Sequence, residues 1–331
     1  QTNIEISGGI LDGNQANQAG GLHAHIIEFD GVTDALIQNI KTINSSYDHI
    51  ILTGSTENIL IDNWIGDGGR DDGFNPLVAS DAIIMNSTAR NMTADGFHLS
   101  TGSLQISVIG CISHDNDNGI SINNSQNNIV SDNIIYDNAA VGIYLSGVDV
   151  SYNKILDNLI YGNAARGIYY ATPTTADYIT ISGNTIQGGT DGIRIENAIS
   201  NTVTENIIED VANSGIVFIG GASYGYHVIT DNIIDGAGDG NGIYIDNVYS
   251  TISHNIIVAV WDRSIREAAG ADFNFIEHNT LTAGLGTAVF VNIVGADTKL
   301  QWMFMPISDP NTSVGDHPGV DLPDDTDTNV Y

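Results

Sequence analysis

A glycine followed by an apolar-x-apolar triplet recurs through the chain. It appears as Gly73-Phe74, Gly96-Phe97-His98-Leu99, Gly119-Ile120-Ser121-Ile122, Gly142-Ile143-Tyr144-Leu145, Gly167-Ile168-Tyr169-Tyr170, Gly192-Ile193-Arg194-Ile195, Gly215-Ile216-Val217-Phe218 and Gly242-Ile243-Tyr244-Ile245, spaced by about 23 to 27 residues. A fixed period of this length means one supersecondary unit per repeat, each burying its apolar face only against its neighbours. Degenerate copies extend the series, with Ile27-Glu28-Phe29 and Ile50-Ile51-Leu52 before it and Ala288-Val289-Phe290-Val291 after it. Each coil also carries an Asn-x-Ile-x-x-Asn pattern, as in Asn128-Ile129-Val130-Ser131-Asp132-Asn133-Ile134-Ile135-Tyr136-Asp137-Asn138. Alternating apolar residues make short strands with one face inward, and Asn and Gly supply left-handed corners and stackable side chains. No stretch sustains a period of 3.6, and β-branched residues, Asn and Gly dominate, which excludes a helical solenoid. The chain is therefore expected to be all-β, a right-handed parallel β-helix of roughly a dozen coils.

The repeat is expected to span 1–303. Beyond Met303 four of the six prolines and a run of Asp fill Pro306 to Tyr331, so 304–331 is expected to be a tail or cap over the open edge. Coils begin almost at once, at Ile4-Glu5-Ile6, leaving the N-terminal end to be covered by another domain or subunit. The chain opens at Gln1 with neither Met nor a signal-like segment, as a processed or truncated chain would. Its single cysteine, Cys111, excludes an internal disulfide and belongs in the core. No apolar run reaches the ~20 residues of a membrane helix. Asp and Glu total 40 against 9 Lys and Arg, for a net charge of −31, which repels nucleic acid and keeps an Ile-rich solenoid soluble.

The run Ser7-Gly8-Gly9-Ile10-Leu11-Asp12-Gly13-Asn14, followed by stacked Gly-led coils, resembles the pectin-lyase-like superfamily of lyases, hydrolases, epimerases and phage tailspike depolymerases. Residues 4 to about 125 look most like the catalytic module of mannuronan C5-epimerases, through Leu11-Asp12-Gly13-Asn14, Gly66-Asp67-Gly68-Gly69-Arg70-Asp71-Asp72-Gly73-Phe74 and Asp95-Gly96-Phe97-His98. That family's Tyr-Gly-Phe-Asp-Pro-His signature is out of register with Asp48-His49-Ile50-Ile51-Leu52-Thr53, and Ala94-Asp95-Gly96-Phe97 stands where it carries Arg-His-Gly-Phe. Its acid/base set is not carried over. Against polygalacturonase-like glycosidases, Asp95, Asp117-Asn118 and Arg194-Ile195-Glu196 match in part, while Val141 replaces a His. The resemblance implies a secreted, extracellular-surface or virion protein that handles a polysaccharide, as a monomer or, like tailspikes, a homotrimer.

Residues one period apart stack about 4.8 Å apart in a solenoid, so columns can be read from the alignment. The outward position of the Gly-led strand runs Glu28, Ile51, Asn75, His98, Ser121, Tyr144, Tyr169 and Arg194, a stripe suited to stacking on sugars and forking onto acidic groups. Asn75, Ser121, Tyr144, Tyr169 and Arg194, with Arg70 and Asp72, are the expected substrate-binding residues. Acids from successive corners, Asp71, Asp72, Asp95, Asp115 and Asp117, lie beside this stripe with His98 and His114. Carboxylates on neighbouring coils fall near the separations glycosidases use, so Asp95 and Asp117 are the expected acid/base pair, with His98 and His114 assisting. Five of the nine histidines, His23, His25, His49, His98 and His114, fall in the first third of the chain on different corners, which argues against a transition-metal centre. No cofactor is required; Asp67 and Asp71 are the acids suited to Ca²⁺.

The leading expectation is thus a polysaccharide depolymerase of glycoside hydrolase type. Scarce lysines favour hydrolysis over elimination, and Tyr47, His49 and Arg70 would serve the alternative of a uronate lyase or C5-epimerase. A non-catalytic glycan-binding or spacer protein of a cell or virion surface is the alternative from another class.

Overall fold

The computed structural model describes residues 2–17, 24–171, 178–260, 262–283, 289–293, 297–301 and 320–321. Its regular structure is strand apart from two short 3₁₀ segments, Gln15–Asn17 and Gly221–Ser223. The strands form a β-solenoid of about 11 turns. The chain divides into two compact units, Gln1–Ala165 with Tyr169–Thr172, and Arg166–Ile168 with Pro173–Tyr331. His23, Ala288 and all of the expected tail except Val320–Asp321 lie outside the described residues. Val320–Asp321 pairs in parallel with Val289–Asn292.

In the first unit one parallel sheet is made of Ile27–Asp30, Ile50–Thr53 and the Gly-led strands Phe74–Pro76, Phe97–Leu99, Ile120–Asn123 and Ile143–Ser146. The remaining strands wrap the other faces. Thr33–Ser45 and Glu57–Gly69 run 13 residues each around a corner, and later coils break this course into two short strands. Period-two alternation sends Ile37, Ile61, Ile84, Val108, Val130 and Ile155 inward in one in-register, fully buried column. Each such side chain contributes roughly 1.5–3 kcal/mol by leaving water. The second unit repeats the plan with Ile181, Val203, Ile229, Ile252, Ile276 and Leu300. Cys111 is buried, as its sequence setting implies.

Polar groups inside the coils are held by asparagine ladders. In the first unit, Asn133 donates from its backbone (3.0 Å) and its Nδ2 (2.9 Å) to Asn158 Oδ1, and from Nδ2 to the Val108 carbonyl at 3.0 Å. Asn184, Asn206, Asn232, Asn255 and Asn279 repeat the arrangement in the second unit. The repeat glycines answer a different need from the left-handed corners expected of them. A Cβ on Gly119 would lie 2.3 Å from Ile135 Cγ2 and 2.6 Å from the Gly142 carbonyl, so these glycines admit the next coil's backbone. The left-handed corners are taken mostly by other residues, such as Asn63, Asn91, Asp115 and Asn127.

Where the repeat would place a glycine before Ile50, the chain has His49. Its ring is fully buried and lies edge-on to Trp64, with centroids 6.2 Å apart. Thr42 Oγ1 joins the two, 2.7 Å from His49 Nδ1 and accepting from Trp64 Nε1 at 2.7 Å, while His49 Nε2 reaches the Gly68 carbonyl at 3.3 Å. With Nε2–H donating to that carbonyl, Nδ1 accepts the Thr42 hydroxyl, and burial lowers the His49 pKa to about 4. His49 therefore belongs to the interior, not to an exposed base for elimination.

Candidate functional site

The corner residue before each Gly-led strand forms a second ladder, made of acids. The backbone N–H of Asp72 donates to Asp48 Oδ1 at 3.1 Å, and that of Asp95 to Asp72 Oδ1 at 3.0 Å. Asn118 Nδ2 donates to Asp95 Oδ1 at 2.9 Å, and Val141 N–H to Asn118 Oδ1 at 3.1 Å. Each carboxylate is thus fixed by one oxygen to the next coil, leaving the other to face the sheet's outer surface.

Side chains from that surface converge on the second oxygens. His98 Nδ1 is 2.7 Å from Asp72 Oδ2 and 3.8 Å from Asp95 Oδ2. Asn75 Nδ2 donates to Asp72 Oδ2 at 3.2 Å and to Asp48 Oδ2 at 3.4 Å, while its Oδ1 accepts from Ser100 Oγ at 2.6 Å. His25 Nδ1 stands 3.2 Å from Asp48 Oδ2, with its ring edge-on to Tyr47 at 5.1 Å. The Tyr47 hydroxyl hydrogen-bonds Asp71. Candidate ligand atoms of Asp72, Asp95 and His98 lie within 4.8 Å of one another, as do those of Asp48, Asp71 and Asp72.

Electrostatics follow from this crowding. Burial, reinforced by Asp95, pushes Asp72 up to about 6 against the pull of His98. Burial and Asp48 raise Asp71, and burial with Asp71 raises Tyr47. For His98 burial acts downward, but the bond to Asp72 and the charges of Asp72, Asp95 and Asp48 prevail and raise it. A carboxyl moved up by burial and an imidazole moved up by its acidic neighbours, 2.7 Å apart, form a hydrogen-bonded pair of the kind that serves acid/base chemistry. Of the two, His98 is the accessible member, its side chain 27% exposed against 4% for Asp72.

The other expected residues are distributed as follows. Asp71, Asp72, Asn75, Asp95 and His98 come together. Asp117 does not: it is exposed and, among the described residues, makes no side-chain contact with this cluster, because Asn118 occupies the corner equivalent to Asp95. The structure brings Asp95 together with Asp72 and not with Asp117. His114 belongs to the other sheet, in strand Ile112–His114, bonded to Asp115 at 2.6 Å and stacked on Tyr136. Asp67 is also apart from Asp71. Arg90 (2.8 Å), Lys41 (3.1 Å) and Asn91 (2.9 Å) saturate it, and the Arg90 bond, over the opposing effect of burial, drives its carboxyl far below the usual range. A Ca²⁺ site shared by Asp67 and Asp71 is not what this geometry offers. Arg70 is exposed beside the acidic corner.

Ser121 follows His98 in register and is buried, and Tyr144 follows Ser121. The Tyr144 and Tyr169 rings stack with centroids 5.5 Å apart. Arg194 belongs to the second unit, bonded to Glu196 at 2.6 Å. Asp48 and His25 were not singled out as site residues, yet Asp48 anchors the acidic ladder. Its signal was the 24-residue step to Asp72, obscured because His49 stands in the glycine column.

Parallel coils carrying a titratable ladder along one sheet define a parallel β-helix of the pectin-lyase-like fold with a candidate acid/base site. The family model that matches is described as periplasmic copper-binding protein (NosD), over residues 7–176 and 108–235, and the chain belongs to that family. Among solved structures it is similar to the Azotobacter vinelandii mannuronan C-5 epimerase AlgE6 A-module (TM-score 0.61, 14% identity, 93% of this chain and 91% of that one). It is also similar to the periplasmic alginate epimerase AlgG (0.57, 12%, 92% and 85%) and to the alginate lyase AlyF-OU02 in complex with G6 (0.57, 14%, 92% and 80%). At these identities the likeness is one of fold. Comparison with curated proteins finds no match. Among the described residues no helix is long and apolar enough to cross a membrane.

Proposed function

We propose that the protein is an extracytoplasmic polysaccharide-modifying enzyme that hydrolyses glycosidic bonds by acid/base chemistry at Asp72, Asp95 and His98. The observation that carries this reading is the 2.7 Å Asp72–His98 contact with Asp95 on the next coil. Carboxylate oxygens of Asp72 and Asp95 within 4.8 Å are near the roughly 5–5.5 Å separation of retaining glycosidases. In this reading Asp72 orients His98 through Nδ1, Nε2–H protonates the leaving oxygen as the glycosidic C–O bond breaks, and Asp95 attacks or stabilises the cationic sugar; water then adds to the same carbon, releasing Asp95 and returning its proton to His98 Nε2. The half-buried rim of Asn75 and the Tyr144–Tyr169 stack seats the glycan. Support for a polysaccharide-modifying role comes from the similar structures, named as mannuronan and alginate epimerases and an alginate lyase, and for an extracytoplasmic setting from the periplasmic naming of AlgG and of the NosD family. Four carboxylates repel a uronate at the reacting position, which favours a neutral sugar there over elimination or epimerisation.

A second reading is favoured by the same donors. Two carboxylates and an imidazole suit Cu²⁺ better than Cu⁺, which prefers sulfur; Cys111 is buried and its thiol is pushed up to about 12. Asp72, Asp95 and His98 would hold the ion, which would supply Lewis-acid polarisation.

Purified protein offered a panel of neutral and acidic glycans, with and without Ca²⁺ or Cu²⁺, decides between them. New reducing ends, lost about 100-fold or more in both His98→Gln and Asp95→Asn, are expected. Unsaturated uronate products would instead establish elimination. Full turnover by either variant overturns the assignment, and ion binding without turnover selects the second reading.

A further inference from the structure

With 9 Lys and Arg against 40 acids in the chain, a guanidinium without a carboxylate partner stands out. In the second unit the strands Asp191–Glu196, Ile216–Ile219, Asn241–Asp246 and Arg263–Glu267 pair in parallel. The pairing brings Arg194, Val217, Tyr244 and Arg266 into register on consecutive coils of one face. The other arginines there are tied to acids. Arg194 bonds Glu196 at 2.6 Å and lies 3.5 Å from Asp191, and Arg263 bonds Asp262 at 2.6 Å. Arg266 has no ion pair among the described residues; its Cζ sits 5.4 Å from the Tyr244 ring centroid. The charges of Asp246, Arg266 and Arg194 all reach that ring. Val217, only 4% exposed, forms an apolar floor between Arg194 and Tyr244.

A guanidinium laid on an aromatic ring is already ordered, and its in-plane N–H donors remain available to a planar anion. The column from Arg194 to Arg266 covers three coil steps, about 14 Å, a length suited to an extended chain more than to a free ion. We propose that this face of the second unit is a glycan subsite that reads a carboxylate: Arg266, held on Tyr244, forks onto the acid group of a uronic sugar. This rests on the glycan reading above and names its substrate class. The polysaccharide this face takes carries uronic acids.

The test is calorimetric titration of the full chain with a galacturonic acid hexasaccharide and with its carboxyl-reduced, neutral counterpart. The wild type is expected to favour the acidic form by about tenfold, with the preference lost above about 0.5 M salt. Arg266→Gln is expected to erase the preference, Arg263→Gln to keep it, and both to melt within a few degrees of the wild type. Equal binding of the acidic hexasaccharide by wild type and Arg266→Gln, or no preference in the wild type, overturns the proposal. Asp72→Asn separates this inference from the proposed function. It is expected to stop turnover while leaving the acidic preference intact, so turnover that survives there with the preference present sinks only the catalytic reading.

Discussion

Replacing Asp72 by Asn should abolish acid/base chemistry and also change the pH dependence of stability in a calculable way. Burial raises the Asp72 carboxyl from 3.8 to about 6. A raised carboxyl contributes stability that is fully present below its unfolded pKa and lost as pH rises through the folded one. Roughly two pKa units at about 1.4 kcal/mol each amount to about 3 kcal/mol over the whole titration, of which about 2 kcal/mol is lost between pH 4 and 6, an upper figure since the Asp72–His98 bond is shared. Asn keeps the Oδ1 acceptor for the Asp95 N–H but has no charge to bury. The assay is guanidinium unfolding of both proteins at pH 4, 5 and 6, read as the difference between them, which cancels every group the substitution leaves alone. Asp72→Asn should gain on the wild type by up to about 2 kcal/mol across that window. His98 is not left alone by the substitution: it loses the Asp72 bond and charge that raise it against burial, and the freed downward pull of burial adds to the variant's gain as pH rises. A difference that stays flat with pH, or that moves toward the wild type, refutes the account of Asp72 as a desolvated acid.

Two further outcomes follow from the interior. Gly119→Ala should destabilise by about 1–3 kcal/mol or more, because its Cβ meets Ile135 and the Gly142 carbonyl, and a melting temperature unchanged from the wild type would show that the coils have slack there. His49, lowered to about 4 by burial, contributes stability present above its unfolded pKa of about 6.5 and lost as pH falls toward 4, of order 3 kcal/mol. Nuclear magnetic resonance titration should find it neutral at pH 5, and a titration midpoint near 6.5 would place the ring in contact with water.

Much of this molecule is written in its repeat. The Gly-led triplets determined parallel strands, the column Asn75, His98, Ser121, Tyr144 and the buried asparagine ladders, because residues one period apart must stack when each coil can bury its face only against the next. The acidic corners Asp72 and Asp95 were legible for the same reason. What spacing could not give was direction within a corner. A shift of one residue turns a side chain from one face to the other, so Asn118 enters the ladder while neighbouring Asp117 points to solvent. Likewise His98 and His114, 16 residues apart, sit on different sheets, since a single coil distributes its residues over separate faces. Asp48 joined the site only in three dimensions: Trp64 and Thr42 make room for His49 where other coils need glycine, and that substitution hid the register that puts Asp48 beneath Asp72.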